Sequence, residues 1–219
     1  MRNFEDTYRH KGMRKKLLDS LKEKGIEDER ILTAMMNIPR HWFLDTAFEQ
    51  IAYQDKAFQI AAGQTISQPY TVAYQTQLLE VKPYDKILEV GTGSVFQASV
   101  LAEMGAKVYT IERQRELFEN NKKFVLKSKY PNIYFFYGDG FEGLPTYAPF
   151  HKILITAAAP VLPEKLVAQL KPGGLMVIPL NDEDNDLQIM MRFTKNADGT
   201  LKEERFSKFS FVPMLKGRN

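Results

Sequence analysis

Apolar positions recur at two different periods along this chain. In "MRKKLLDSLKEKG" Met13, Leu17, Leu18 and Leu21 fall on one helical face and Gly25 is a stop. "DERILTAMMNIP" continues with Ile31, Met35 and Met36 before Pro39, so residues 1 to about 50 read as helical. From about residue 82 the pattern becomes short apolar blocks alternating with helical stretches. The blocks "KILEV" (86–90), "KVYTI" (107–111), "IYFFY" (133–137), "KILIT" (152–156) and "LMVIPL" (175–180) predict strands. A helix follows the first, a long one is expected around 114–128, and "PEKLVAQL" (163–170) predicts another. Such alternation implies a parallel sheet with helices on both faces and right-handed crossovers. "LQIMMRFT" (187–194), the turn "NADG" (196–199) and a run ending "FSFVPML" (209–215) predict an antiparallel hairpin at one sheet edge.

The chain has 219 residues, 44% hydrophobic and 26% charged, which places it among globular proteins able to bury a sizeable core. A net charge of +3 is too small to indicate nucleic acid by itself. No cysteine is present, which excludes disulfides, thiolate metal ligands and a cysteine nucleophile. The N-terminal "MRNFEDTYRHKGMRKK" lacks the apolar core of a signal peptide, and no apolar run is long enough to span a membrane. A cytoplasmic protein is the expectation. The basic cluster Arg14, Lys15, Lys16 reads as the solvated face of the first helix.

Ligands of open α/β sheets sit beyond the carboxyl ends of the strands. Four segments fall there: "EVGTGS", "IER", "GDG" and "TAAAP". In the first, Gly91 and Gly93 permit a tight turn, and the helix that follows offers free N–H groups to an anion. Taken alone it is either a cofactor loop or a plain strand-to-helix turn. Glu112 follows Glu89 at close to the roughly 20-residue spacing of a ribose-binding acid. Asp139, between Gly138 and Gly140, could accept an exocyclic amino group such as adenine offers, or simply form a turn. A dinucleotide fingerprint would need glycine at position 96, where this chain has Phe, so a pyrophosphate cofactor is disfavoured and a smaller adenosine cofactor is not.

A fifth segment, "GQTISQPY" (63–70), precedes the sheet and has no structural reason to be so polar. Together with "PRHWFLDTAFEQIAYQDKAF", "ILEVGTGS", "YTIER", "GDGFEGLPTYAPF", "ILITAAAP", "QLKPGGLMVIP" and "FVPML", it resembles the protein-L-isoaspartate O-methyltransferase family from about residue 13 to 217. The resemblance implies a Rossmann-like S-adenosylmethionine methyltransferase fold: a mostly parallel sheet with helices on both faces, an antiparallel C-terminal edge hairpin and an N-terminal helical extension. It implies residues 1–80 as that extension with the active-site loop, packed on a methyltransferase core of 81–219 as one structural domain. The implied reaction moves the methyl of S-adenosylmethionine to the α-carboxylate of L-isoaspartyl residues in damaged proteins. The ester then collapses to a succinimide that reopens partly to aspartate.

By the same resemblance Ser67 matches the active-site serine, with Thr65 and Ile66 in the same wall and Val212 and Pro213 beside the substrate peptide. Glu89, Gly91, Thr92, Gly93 and Ser94 match the first cofactor loop. Glu112 with Arg113, and Asp139 with Gly140, match the ribose and adenine loops. Partners are expected to be isoaspartyl peptides and proteins, with no nucleic acid, no membrane and no metal, and the protein is expected to be a monomer. Two positions depart from the family. "GTGSGYQ" is usual where this chain has Ser94-Val95-Phe96-Gln97, and proline-isoleucine where it has Gln59-Ile60. Val95 is expected at negative φ, crowding the methionine end of the cofactor and weakening its binding.

The acceptor carboxylate ionises near ~3.5, so no general base is required. That suits a chain with only His10, His41 and His151 and no triad: His10 near a flexible end, His41 packing after Pro39, His151 flanking a strand. A methyltransferase of another substrate class would share the glycine loop but has no use for "QTISQPY". A non-catalytic binding protein with a degenerate cofactor loop finds its support in Val95.

Overall fold

The computed structural model describes residues 4–182 and 187–219. The opening residues 1–3 of the predicted helical region lie outside them. Two helices come first, α1 (Tyr8–Glu23) and α2 (Glu29–Met36). Thr7 caps α1 through its hydroxyl and Asp28 caps α2 through its carboxylate, each accepting an orphan backbone N–H. Two 3-10 segments follow, Arg40–Phe43 and Thr46–Ile51. A small ladder pairs β1 (Phe58–Gln59) with β2 (Thr65–Ile66), and α3 (Pro69–Leu79) begins directly after it.

The α/β region then runs β3 (Lys86–Val90), α4 (Phe96–Glu103), β4 (Lys107–Glu112), α5 (Arg115–Asn121), β5 (Ile133–Tyr137), β6 (Phe150–Ile155), α6 (Glu164–Gln169), β7 (Leu170–Asn181), β8 (Gln188–Lys195) and β9 (Leu201–Phe209). The strand order is β5-β4-β3-β6-β7-β8-β9. The first five of these pair in parallel, while β8 and β9 add antiparallel. The order reverses at β3, where the chain first builds outward to β5 and then returns to β6. That switch point is where an open α/β sheet forms its crevice.

Alternation along the strands sorts the core into two layers. Ile87, Leu154 and Val177 face one, with Leu21, Ile31, Val72 and Leu101 from the first four helices. Leu88, Ile153 and Met176 face the other, with Leu166 of α6. The N-terminal helices therefore share a core with the sheet.

Four expectations need correction. The helix after β4 ends at Asn121 rather than near 128, and turns follow. Asn120 and Asn121 are weak helix formers, and the Asn121 amide donates to the Gly93 carbonyl at 3.2 Å. The run through "FSFVPML" does not stay in the hairpin. β9 stops at Phe209, and Val212–Met214 crosses the strand ends to bond Ala158. Arg14 is not solvated: it is buried, donating to both oxygens of Asp6 and to the Tyr53 hydroxyl, while Lys15 and Lys16 are exposed. His10, expected near a flexible end, is also buried and stacks on His41 with ring centroids 3.9 Å apart.

Candidate active site

β3 ends in an acid that never reaches solvent. Glu89 is fully buried, and burial pushes its carboxyl up to about 8, helped by the nearby Glu112 charge and opposed by a hydrogen bond from Thr110. The Thr110 hydroxyl donates to Glu89 Oε2 at 2.5 Å and lies 2.7 Å from the Thr92 hydroxyl. Glu89 thus anchors the glycine loop from beneath.

The loop itself turns through three left-handed residues, Gly91 (φ 100°), Gly93 (φ 50°) and Val95 (φ 72°). Gly91 is obligatory on space as well, since a Cβ there would lie 2.5 Å from Thr156 Oγ1. The Thr156 hydroxyl in turn donates to the Gly91 carbonyl at 2.8 Å, tying the loop to the end of β6. Gly93 is held from both sides: its N–H donates to Glu112 Oε2 at 2.9 Å and its carbonyl accepts from Asn121.

The expectation for Val95 is overturned. Its φ is positive, and its side chain points into the core with 1% exposure rather than at a ligand. It caps the start of α4, and its carbonyl accepts from the Ser99 backbone N–H and hydroxyl. A β-branched residue in this region carries a cost of about 1–2 kcal/mol. Here that cost is offset by burial in the layer formed with α1 to α4.

Gly91, Thr92, Gly93 and Ser94 line a cavity of about 310 Å³ at the switch point. Glu112 and Arg113 continue the wall from the end of β4, and Gly140 closes it from the loop after β5. Thr65, Ile66 and Ser67 line the same cavity, as do Val212 and Pro213. Two predicted residues do not line it. Glu89 sits below the loop. The Asp139 carboxylate faces the backbone, accepting from Phe141 N–H at 2.9 Å and from Gly217 N–H at 2.7 Å. The C-terminal segment therefore lies over the Gly138–Gly140 loop, and Arg113 donates to the Gly217 carbonyl at 3.1 Å.

The sequence reading did not pick out Thr71, Val72, Phe96 or Gln97, which complete the wall. Their signal lay in their neighbours: the first two open the helix after "QTISQP" and the last two open the helix after the glycine loop. None of the three histidines lines the cavity. His41 bonds the Tyr53 hydroxyl, and His151 accepts from the Lys86 N–H. Asp6, His10 and His41 lie close enough to suggest a metal site, but the Asp6 carboxylate is held by Arg14 and the His41 nitrogens by Tyr53 and the Glu5 carbonyl.

The donor and acceptor set suits an adenosine cofactor. A carboxylate offers roughly four lone-pair sites. Glu112 uses one oxygen on Gly93 N–H and the other on Gln114 N–H, which leaves acceptor capacity for ribose hydroxyls. Apolar faces are present beside it, from Val90, Ile111 and Met214.

Comparison with known proteins agrees with this geometry. The family model described as Protein-L-isoaspartate(D-aspartate) O-methyltransferase (PCMT) matches residues 12–219. A protein-L-isoaspartate O-methyltransferase of Christiangramia forsetii is 53% identical over 99% of this chain and 100% of its own. One from Flavobacterium johnsoniae is 51% identical with the same coverage. A Plasmodium falciparum beta-aspartate methyltransferase (PCMT), crystallised with S-adenosyl-L-homocysteine, superposes with a TM-score of 0.79 at 26% identity, over 94% of this chain and 98% of that one. With the match running from the N-terminal helices through the C-terminal segment, the chain belongs to the protein-L-isoaspartate(D-aspartate) O-methyltransferase family.

Proposed function

We propose that this protein is a repair methyltransferase acting on the α-carboxylate of L-isoaspartyl residues, and that the cavity between the glycine loop and Ser67 is where it acts. One observation carries the reading. The loops expected to hold the methyl donor and the "TIS" segment expected to hold the acceptor line a single cavity.

S-adenosylmethionine, when bound, supplies a methyl group activated by a sulfonium. Glu112 would accept its ribose hydroxyls, and the Gly91–Ser94 backbone would hold its methionine end. In the same cavity Ser67 holds the acceptor carboxylate. Its hydroxyl makes no hydrogen bond among the described residues and so is available to donate. The acceptor is already ionised at neutral pH, so the protein's task is alignment, worth roughly 7–11 kcal/mol in favourable cases. That no histidine lines the cavity is consistent with a reaction needing no base.

The substrate chain runs beside Val212 and Pro213. The Ala158 N–H donates to the Val212 carbonyl at 2.8 Å, and the Met214 N–H donates to the Ala158 carbonyl at 2.7 Å. Such parallel pairing leaves the Pro213 carbonyl on the opposite edge, where an extended peptide can add. No helix is long and apolar enough to cross a membrane among the described residues. A monomer working in the cytoplasm on damaged proteins is the reading adopted.

The test is transfer of a radiolabelled methyl group to an isoaspartyl peptide and to its aspartyl twin. Base-labile label on the first alone is expected. Equal labelling of both, or none on either, would remove the proposal.

A further inference from the structure

Arg40 is the cation this site leaves unexplained. It opens the 3-10 segment Arg40–Phe43, well before the sheet, and is 1% exposed. No carboxylate lies within ion-pair distance of it among the described residues. Instead Nε donates to the Ala52 carbonyl at 3.1 Å, and Nη2 donates to the carbonyls of Lys56 at 3.3 Å and Ser67 at 2.9 Å. Nη1 is buried with no hydrogen-bond partner among the described residues. The guanidinium stacks over the Phe96 ring, 5.0 Å from its centroid, and Phe96 lines the cavity. Burial lowers its pKa to about 9, so it remains charged at neutral pH.

A buried cation with an orphaned donor is an expensive way to tie three loops together. A neutral amide could serve those carbonyls at lower cost. What the charge adds is its location. A trans peptide points its C=O and N–H in opposite directions. With the Ser67 carbonyl turned toward Arg40, the N–H of the same peptide unit, that of Gln68, points away from it, and this N–H has no partner among the described residues.

We propose that Arg40 is a positioning residue for acceptor recognition: it fixes the Ser67–Gln68 peptide unit and maintains positive potential behind Ser67, so that an acceptor bearing a free carboxylate is preferred over its neutral amide. This rests on the reading of Ser67 as the residue that holds the carboxylate.

Three proteins test it: the parent chain, Arg40→Met and Arg40→Lys, each with its melting temperature recorded. The measurements are kcat and KM for an isoaspartyl peptide, the dissociation constant for S-adenosylhomocysteine, and the ratio of inhibition constants for an isoaspartyl peptide and its α-carboxamide analogue. Arg40→Met is expected to raise KM by at least about tenfold and to bring the carboxylate-to-amide ratio near unity, with product affinity within about twofold. Arg40→Lys keeps the charge but not the fork, so its KM rises while the ratio keeps its preference for carboxylate. An unchanged ratio in Arg40→Met, or parallel loss of peptide and product affinity, overturns the proposal. Should Arg40→Met not fold, Arg40→Lys decides alone, and a KM equal to that of the parent chain overturns it. Ser67→Ala run alongside separates the two levels. If it leaves KM and turnover unchanged, the reading of Ser67 fails and this inference falls with it. If Ser67→Ala is impaired and Arg40→Met is not, only the inference falls.

Discussion

Glu89 offers the most quantitative test of the site. Its carboxyl titrates near about 8 in the folded chain against an ordinary 4.5, because it is fully buried and only Thr110 donates to it. A group whose folded pKa is raised contributes stability that is fully present below its unfolded pKa and lost as pH rises through the folded one. Between those limits the folded chain holds one more proton than the unfolded chain. Stability then falls with rising pH by about one proton's worth per unit from this residue, so by nearly 3 kcal/mol between roughly pH 5.5 and 7.5. Glu89→Gln removes the titration while keeping size, and its side-chain oxygen can still accept from Thr110. Oε1 of Glu89 has no hydrogen-bond partner among the described residues, and with Oε2 accepting from Thr110 it carries the proton in this window, so the substitution exchanges an orphan O–H for an orphan amide N–H. That exchange is a constant offset and leaves the slope alone. Denaturant unfolding of both proteins at several pH values across this window gives the difference curve. It should rise toward the variant by about one proton's worth per unit and flatten above about pH 8. A difference independent of pH would show that Glu89 is ionised throughout, and that burial does not govern it.

Three further outcomes follow from the walls of the cavity. Ser67→Ala should lower turnover well beyond any change in cofactor affinity, and equal losses in cofactor titration and turnover would refute the role given to Ser67. Deleting residues 210–219 should raise KM for an isoaspartyl peptide, because it removes the Val212–Pro213 edge, and an unchanged KM would count against strand-like binding. Val95→Gly relieves about 1–2 kcal/mol of backbone cost but forfeits about 1.5–3 kcal/mol of burial and adds about 0.5–1 kcal/mol of chain entropy. The melting temperature should therefore stay level or fall, and S-adenosylhomocysteine affinity should hold within about twofold. A severalfold gain in affinity would mean that Val95 does disturb the ligand.

The strands were legible because each block is too apolar to sit anywhere but between two layers of helices. "KILEV" and "IYFFY" match β3 and β5 residue for residue. The glycine loop and Glu112 were legible because the sheet fixes where strand ends meet. Failures occurred where a distant partner overrode a local preference. Val95 takes a left-handed conformation against β-branched preference because the core behind it accepts an isopropyl group. Arg14 looked like part of a solvated basic face because its partner Tyr53 lies 39 residues away. Arg40 gave no signal because its partners are backbone carbonyls, which any sequence provides.

The proposed donor and acceptor walls of the cavity come from different parts of the chain. The proposed donor side comes from strand ends, Gly91–Ser94 after β3 and Glu112 after β4. The acceptor side comes from outside the parallel sheet. Ser67 stands on the segment before α3, Arg40 behind it on a 3-10 turn, and Val212 on the run that leaves β9. The N-terminal segments do not merely cover the fold, since α1 and α2 share the layer that buries Ile87 and Val95. Losing that packing would displace Arg40 and Ser67 while the glycine loop kept its ties to Thr156 and Glu112. Acceptor recognition should therefore fail before donor binding as the N-terminal helices are destabilised. A point substitution such as Leu21→Ala, which costs about 2–5 kcal/mol in a core, should expose that order. Titrated with denaturant below its unfolding midpoint, the variant should lose peptide affinity while still binding S-adenosylhomocysteine. Simultaneous loss of both would show that extension and sheet unfold as one unit.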